Sequence, residues 1–142
     1  MTAGQASAYI YTLIKSNFQQ NLHNIFVNCS AKVFLLNCSS IIIPTCNRGH
    51  LLCNTLRNLI GQLPTDGEII VVDRSDEVCS ELMEIVKNHS AQIHYYKIFV
   101  KGLPHARNYG LRRAIGETII FCDNDVIPGH NFIENHLQNL SI

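Results

Sequence analysis

The chain has 142 residues, 46% of them hydrophobic and 15% charged, with 11 basic and 11 acidic side chains. That length fits one domain with a real core, since a chain of this size buries roughly two-thirds of its unfolded surface. A formal net charge of zero gives no electrostatic case for nucleic acid or an acidic membrane surface as partner, and no run approaches the ~20 apolar residues of an integral membrane segment.

Residues 1–38 stand apart as an N-terminal extension. Ile10, Leu13, Ile14, Phe18, Leu22, Ile25 and Phe26 recur at spacings of three and four, the pattern of an amphipathic helix. The segment lacks a basic leader followed by an unbroken apolar run, so no secretion signal is expected and a soluble, cytoplasmic protein is. The six cysteines (Cys29, Cys38, Cys46, Cys53, Cys79 and Cys122) include no C-x-x-C pair. The usual zinc spacing is therefore absent, and reduced thiols are expected, with Cys53 and Cys122 as small buried hydrophobes.

From residue 39 to 142 strand and helix signals alternate. Ser40–Pro44 is a short β-branched run ended by proline, and His50–Leu63 reads as a helix through Leu51, Leu52, Leu56, Leu59 and Ile60. Glu68–Asp73 is the next strand, Asp76–Asn88 a helix and Gln92–Val100 an alternating strand. Leu103–Ile115 reads as a helix, Thr118–Asp123 as a fourth strand and Asn131–Leu140 as a last helix. Helices between strands imply crossover connections and an α/β fold with a mainly parallel sheet. The near-continuous apolar character of Ile69–Val72 and Ile119–Phe121 suits central strands covered on both faces. Gly102, Gly110 and Gly116 are expected at turns and helix ends.

In open parallel sheets, ligands bind beyond the carboxyl ends of the strands. Those ends here are Pro44-Thr45-Cys46-Asn47-Arg48, Asp73-Arg74-Ser75-Asp76 and Asp123-Asn124-Asp125. Carboxylates gathered there need a partner, and a hard cation or ribose hydroxyls would supply one. Neither G-x-G-x-x-G after the first strand nor G-x-x-x-x-G-K-[ST] occurs, which disfavours a dinucleotide fingerprint and excludes a P-loop. A bound pyrophosphate would need a cation between its oxygens and the carboxylates, and Asp-Asn-Asp offers the hard oxygens that Mg²⁺ or Mn²⁺ prefers. Alone, that triplet reads more readily as a turn. Its place after an apolar strand, downstream of two other polar strand ends, favours the ligand.

The segments SIIIPTCNR, EIIVVDRSDE and KGLPHARNYGLRRAIGETIIFCDNDVIP, in this order, resemble the family-2 glycosyltransferases of the GT-A fold. The resemblance runs from about Ser40 to about Asn135. It implies a Rossmann-like nucleotide-sugar-binding half that binds a nucleotide-sugar, most often a UDP-sugar, with Mn²⁺ or Mg²⁺. By this resemblance Pro44 and Thr45 would line the base pocket, and Asp73 would hydrogen-bond the base. Arg107 would lie near the phosphates, Asp123 would touch the ribose and the metal, and Asp125 would be the main metal ligand. Two positions depart from the family pattern. Cys46 stands where an aromatic residue often stacks on the base, and Arg74 stands where an acid is common.

The resemblance also implies an acceptor half and a catalytic base beyond the D-x-D motif. Only 17 residues follow Asp125, and Glu134, in an expected helix, is the only acid among them. The catalytic residue is therefore unassigned, the acceptor is unknown, and the chain reads as truncated. Three readings stay open at this stage: a glycosyltransferase represented by its donor half, a non-catalytic nucleotide-binding module, and an inactive remnant with an open sheet edge.

Overall fold

The computed structural model describes residues 38–139, so the expected N-terminal helix lies outside the described residues. The chain runs β1 (Ser39–Thr45), α1 (Gly49–Ile60), β2 (Glu68–Asp73), α2 (Ser80–Asn88), β3 (Ile93–Lys97), α3 (Leu103–Arg113), β4 (Thr118–Phe121) and α4 (Phe132–Asn139). The strands form a four-stranded sheet in the order β3-β2-β1-β4. All three pairings are parallel, with Ile42 opposite Ile70 and Phe121, and Asp73 opposite Thr45 and Lys97.

β1 is central, and every residue in it is buried. Its alternation divides the core into two layers. Ile41 and Ile43, with Ile69, Val71, Ile93 and Ile120, pack beneath Leu52, Leu56 and Leu59 of α1, Leu82 of α2 and Ile133 and Leu137 of α4. Ile42, with Ile70, Val72, Ile119 and Phe121, packs beneath Ala106 of α3. Each fully buried Leu or Ile contributes about 1.5–3 kcal/mol, so these two layers drive the fold. The α/β expectation holds, with helices on both faces of the sheet.

Pro44 sits inside a central strand, where a missing N–H is usually costly. Thr45 O accepts from Arg74 N on the β2 side at 3.0 Å, and Ile42 O accepts from Cys122 N on the β4 side at 3.0 Å. Pro44 shares the direction of Ile42, and the last residue of β1 paired with β4 is Ile42. Pro44 is the next β1 position that would donate toward β4, so its missing N–H falls where the β1–β4 ladder ends.

Several boundaries differ from the sequence expectation. α2 starts at Ser80 rather than Asp76 because the Asp76 amide is held by Asn47 Oδ1 at 2.9 Å. β3 stops at Lys97 after Ile98 N makes a last bond to Asp73 O at 2.8 Å. α3 starts with Pro104 in its first turn, where the absent N–H is unneeded. The expectation for Gly110 is corrected: it lies within α3, and an added Cβ would come 2.5 Å from Ile42 Cγ2. Glycine there lets the helix sit close on the sheet.

Candidate functional site

The loops after β1, β2 and β4 meet at the carboxyl edge of the sheet. Asn47 adopts a left-handed φ of 54°, which Asn tolerates better than most side chains. From there its N–H donates to Ser75 Oγ at 2.7 Å and its Nδ2 donates to Asp76 Oδ2 at 3.1 Å. With the Asp76 N–H bond to Asn47 Oδ1, these bonds lock the first loop to the second.

Asp73, at the end of β2, is 1% exposed. Its Oδ1 accepts from Ser75 N at 2.6 Å and from Ser75 Oγ at 2.5 Å, and its Oδ2 accepts from the Tyr95 hydroxyl at 2.7 Å. Burial, with the adjacent Asp73 carboxylate, pushes the Tyr95 phenol above its usual range, so Tyr95 stays a donor at any ordinary pH. Lys97 Nζ donates to Ser75 O. Asp73 therefore organises the second loop from within the chain.

The third loop carries the D-x-D triplet, which two basic side chains cover. Arg48 Nη1 lies 3.2 Å from Asp125 Oδ2, and Arg107 Nη2 lies 3.7 Å from Asp123 Oδ1. Arg107 also sits over the Phe121 ring, 5.7 Å from its centroid. Between the two acids, Asn124 Nδ2 donates to Thr45 Oγ1 at 3.0 Å. Buried Thr55 of α1 places its hydroxyl 2.8 Å from Val126 O and 3.0 Å from Asn124 O, a single donor shared by the two carbonyls of this loop.

A cavity of about 340 Å³ opens between these loops and the start of α3. Pro44, Thr45, Cys46, Arg48, Arg74 and Asn124 line it, with Gly102 and Leu103 opposite. The two departures noted in the sequence touch each other, since Arg74 Nη1 donates to Cys46 Sγ at 3.2 Å. The Nε atoms of Arg74 and Arg107 are buried and have no hydrogen-bond partner among the described residues. Buried donors without acceptors are costly, and an anionic oxygen would satisfy them.

The structure thus brings Pro44 and Thr45 to the cavity wall with Asn124; Asp123 and Asp125 flank Asn124 in the third loop, Arg107 reaches Asp123 from α3, and Asp73 is buried at the end of β2. Glu134 lies on the exposed face of α4, where its Oε1 accepts from Gln138 Nε2 at 3.0 Å. Sequence reasoning missed the partners of these residues: Arg48 on Asp125, Tyr95 on Asp73 and Thr55 under the D-x-D loop. Thr55 was findable, because a hydroxyl in the apolar stripe of a helix demands a buried acceptor.

Residues 40–141 match the family model described as glycosyl transferase family 2. The chain belongs to that family. It is 29% identical over 140 residues to an uncharacterized glycosyltransferase of Rickettsia bellii, an alignment covering 94% of this chain and 20% of the relative. A validoxylamine A glucosyltransferase of Streptomyces hygroscopicus subsp. limoneus is 31% identical over 104 residues, covering 69% of this chain and 22% of that enzyme. Among solved structures, a Pyrobaculum calidifontis mannosyltransferase in complex with GDP-Man and Mn²⁺ superposes with a TM-score of 0.66 at 26% identity, covering 74% of this chain and 32% of that one. The fold of this family-2 chain is the GT-A, Rossmann-like α/β fold expected from its sequence. The chain spans about a fifth of the length of these two curated relatives. No helix among the described residues is long and apolar enough to cross a membrane.

Proposed function

We propose that this chain forms the donor half of a glycosyltransferase and binds a nucleotide-sugar, most readily a UDP-sugar, at the carboxyl edge of the sheet. The observation that carries this reading is the cavity beside the D-x-D loop, with unpartnered arginine Nε atoms nearby. Pro44 and Thr45 would bound the base, and Asp73 would order the adjoining loop through Ser75 and Tyr95; the base contact implied for Asp73 would require its buried carboxylate to be uncovered. Arg48, Arg74 and Arg107 would face the diphosphate. The donor chemistry of Asp123 and Asp125 fits Mn²⁺ or Mg²⁺, which, when bound, would neutralise the charge growing on the departing diphosphate. The five described cysteines are free thiols, which suits the cytoplasmic setting proposed with this reading. The acceptor and the group that deprotonates it are not assigned to any residue of this chain.

The test is calorimetric titration of the purified chain with UDP, with and without Mn²⁺. The expected result is binding that Mn²⁺ strengthens. No binding by a folded sample would overturn the reading and leave family motifs without their function.

A second prediction follows from Cys46, which is exposed at the cavity wall. Cys46→Tyr is expected to tighten UDP binding by about 1 kcal/mol, the usual worth of an aromatic contact, equivalent to roughly fivefold in affinity. The same titration measures it, and unchanged or weakened binding would mean that position 46 does not face the base.

A further inference from the structure

A second cluster of ligating groups lies on the other side of the first loop, between α1 and α2. The Sγ atoms of Cys53 and Cys79 and a carboxylate oxygen of Glu81 all lie within 4.8 Å of one another. Cys53 sits on the buried face of α1, Cys79 caps α2, and Glu81 is in the first turn of α2. Two features hold the three in register. An added Cβ on Gly49 would come 2.4 Å from Cys79 Cβ, so the start of α1 packs directly on Cys79. Arg57, one turn beyond Cys53, bonds Glu81 Oε1 at 2.5 Å and anchors that carboxylate. His50 precedes Cys53 by one turn on the same helix face, and it lines a cavity together with Cys79.

We propose that Cys53, Cys79 and Glu81 form a three-ligand metal site of the zinc class, with the fourth position left to water. The geometry is close to closed. Metal–sulfur bonds of about 2.3 Å in a tetrahedron set sulfur atoms about 3.8 Å apart, so the groups need to move by no more than about 1 Å. Two thiolates select Zn²⁺ and its thiophilic neighbours over Mg²⁺ and Mn²⁺. This site is thus chemically separate from the all-oxygen D-x-D triplet. It is independent of the proposed donor half: its ligands tie α1 to α2 and belong to no part of the nucleotide cavity wall.

Binding forms two metal–sulfur bonds and releases one proton from each thiol to solvent, so affinity rises with pH.

The test is titration of the reduced full chain with Co²⁺, followed by the thiolate-to-cobalt charge-transfer absorption in the near ultraviolet. One equivalent is expected to develop that band, and Zn²⁺ to erase it. The band should be lost in Cys79→Ser, a near-isosteric change at a partly exposed position, weakened in Glu81→Gln, and unchanged in Asp125→Ala. Circular dichroism verifies the fold of each variant. A folded, reduced protein that shows no charge-transfer band would overturn the proposal, as would a band that persists in Cys79→Ser.

Discussion

Asp125→Ala is expected to abolish the Mn²⁺-dependent part of UDP binding and to leave the fold intact. The side chain is 47% exposed, and its recorded ion-pair partner is Arg48, itself 56% exposed. Exposed pairs of this kind contribute about 0–1 kcal/mol, so the variant should melt within a few degrees of the parent. The loss for a cation is larger in kind, because one of two acidic ligands disappears while Arg48 remains beside the vacated position. The same change makes the edge more positive, so UDP affinity without Mn²⁺ should stay level or rise slightly. Calorimetry on parent and variant, each with and without Mn²⁺, separates the two effects. Equal affinity in the parent with and without Mn²⁺ would remove the D-x-D loop from the metal proposal, as would an Mn²⁺ gain that survives the substitution.

Gly116→Ala is expected to cost about 3 kcal/mol of stability, a sum of overpacking and a strained buried hydrogen bond. An added Cβ would lie 2.6 Å from Ser40 N and 2.7 Å from Ser39 C, both backbone atoms of central β1. Neither can move without shifting the strand. The same contact would disturb a buried chain of bonds at the amino end of the sheet. Gly116 N donates to Ser40 Oγ at 2.8 Å, Ser40 Oγ donates to Glu68 Oε1 at 2.5 Å, and Ile115 N donates to the same oxygen at 2.8 Å. Gly61→Ala is the matched control, since no atom lies within 4 Å of its added Cβ and its φ of −68° suits alanine. Urea denaturation should place Gly61→Ala at or above the parent and Gly116→Ala well below it. Parent-like stability for Gly116→Ala would show that β1 yields at Ser40.

The α/β architecture was legible because its signal is local. β-branched runs such as EIIVVD stand out within a few residues, and helix periodicity between them dictates parallel crossover pairing. Residues of the candidate site were legible for the same reason, each closing an apolar strand. Their pairings were not. Arg48 and Asp125 are 77 positions apart, Asn47 and Asp76 are 29 apart, and Tyr95 reaches Asp73 from the neighbouring strand. Such contacts depend on strand order, which hydropathy does not encode. Cys46 and Arg74 show the limit well. As separate departures from the family pattern they looked like two losses, yet β1 and β2 bring them together as donor and acceptor. The proximity of Cys53 to Cys79 was hidden likewise, since no short spacing announces it and only the packing of α1 against α2 creates it.

If the proposed donor site holds, the arginine pairs on Asp123 and Asp125 would make the metal and the diphosphate thermodynamically linked ligands. Each guanidinium now acts as a built-in counterion, and a divalent ion drawn to the acids competes with it. Displacing Arg48 and Arg107 sets free two cationic groups at the rim of the cavity, where an incoming diphosphate can take them up. Either ligand alone has to break those pairs against a charge imbalance. Together they would exchange partners with little net change in charge, so the proposed site is expected to bind them with positive cooperativity, reciprocal by the linkage of binding free energies. The exposed Arg48–Asp125 pair is also the more easily screened of the two, so raised ionic strength loosens the internal counterion and the cooperativity with it.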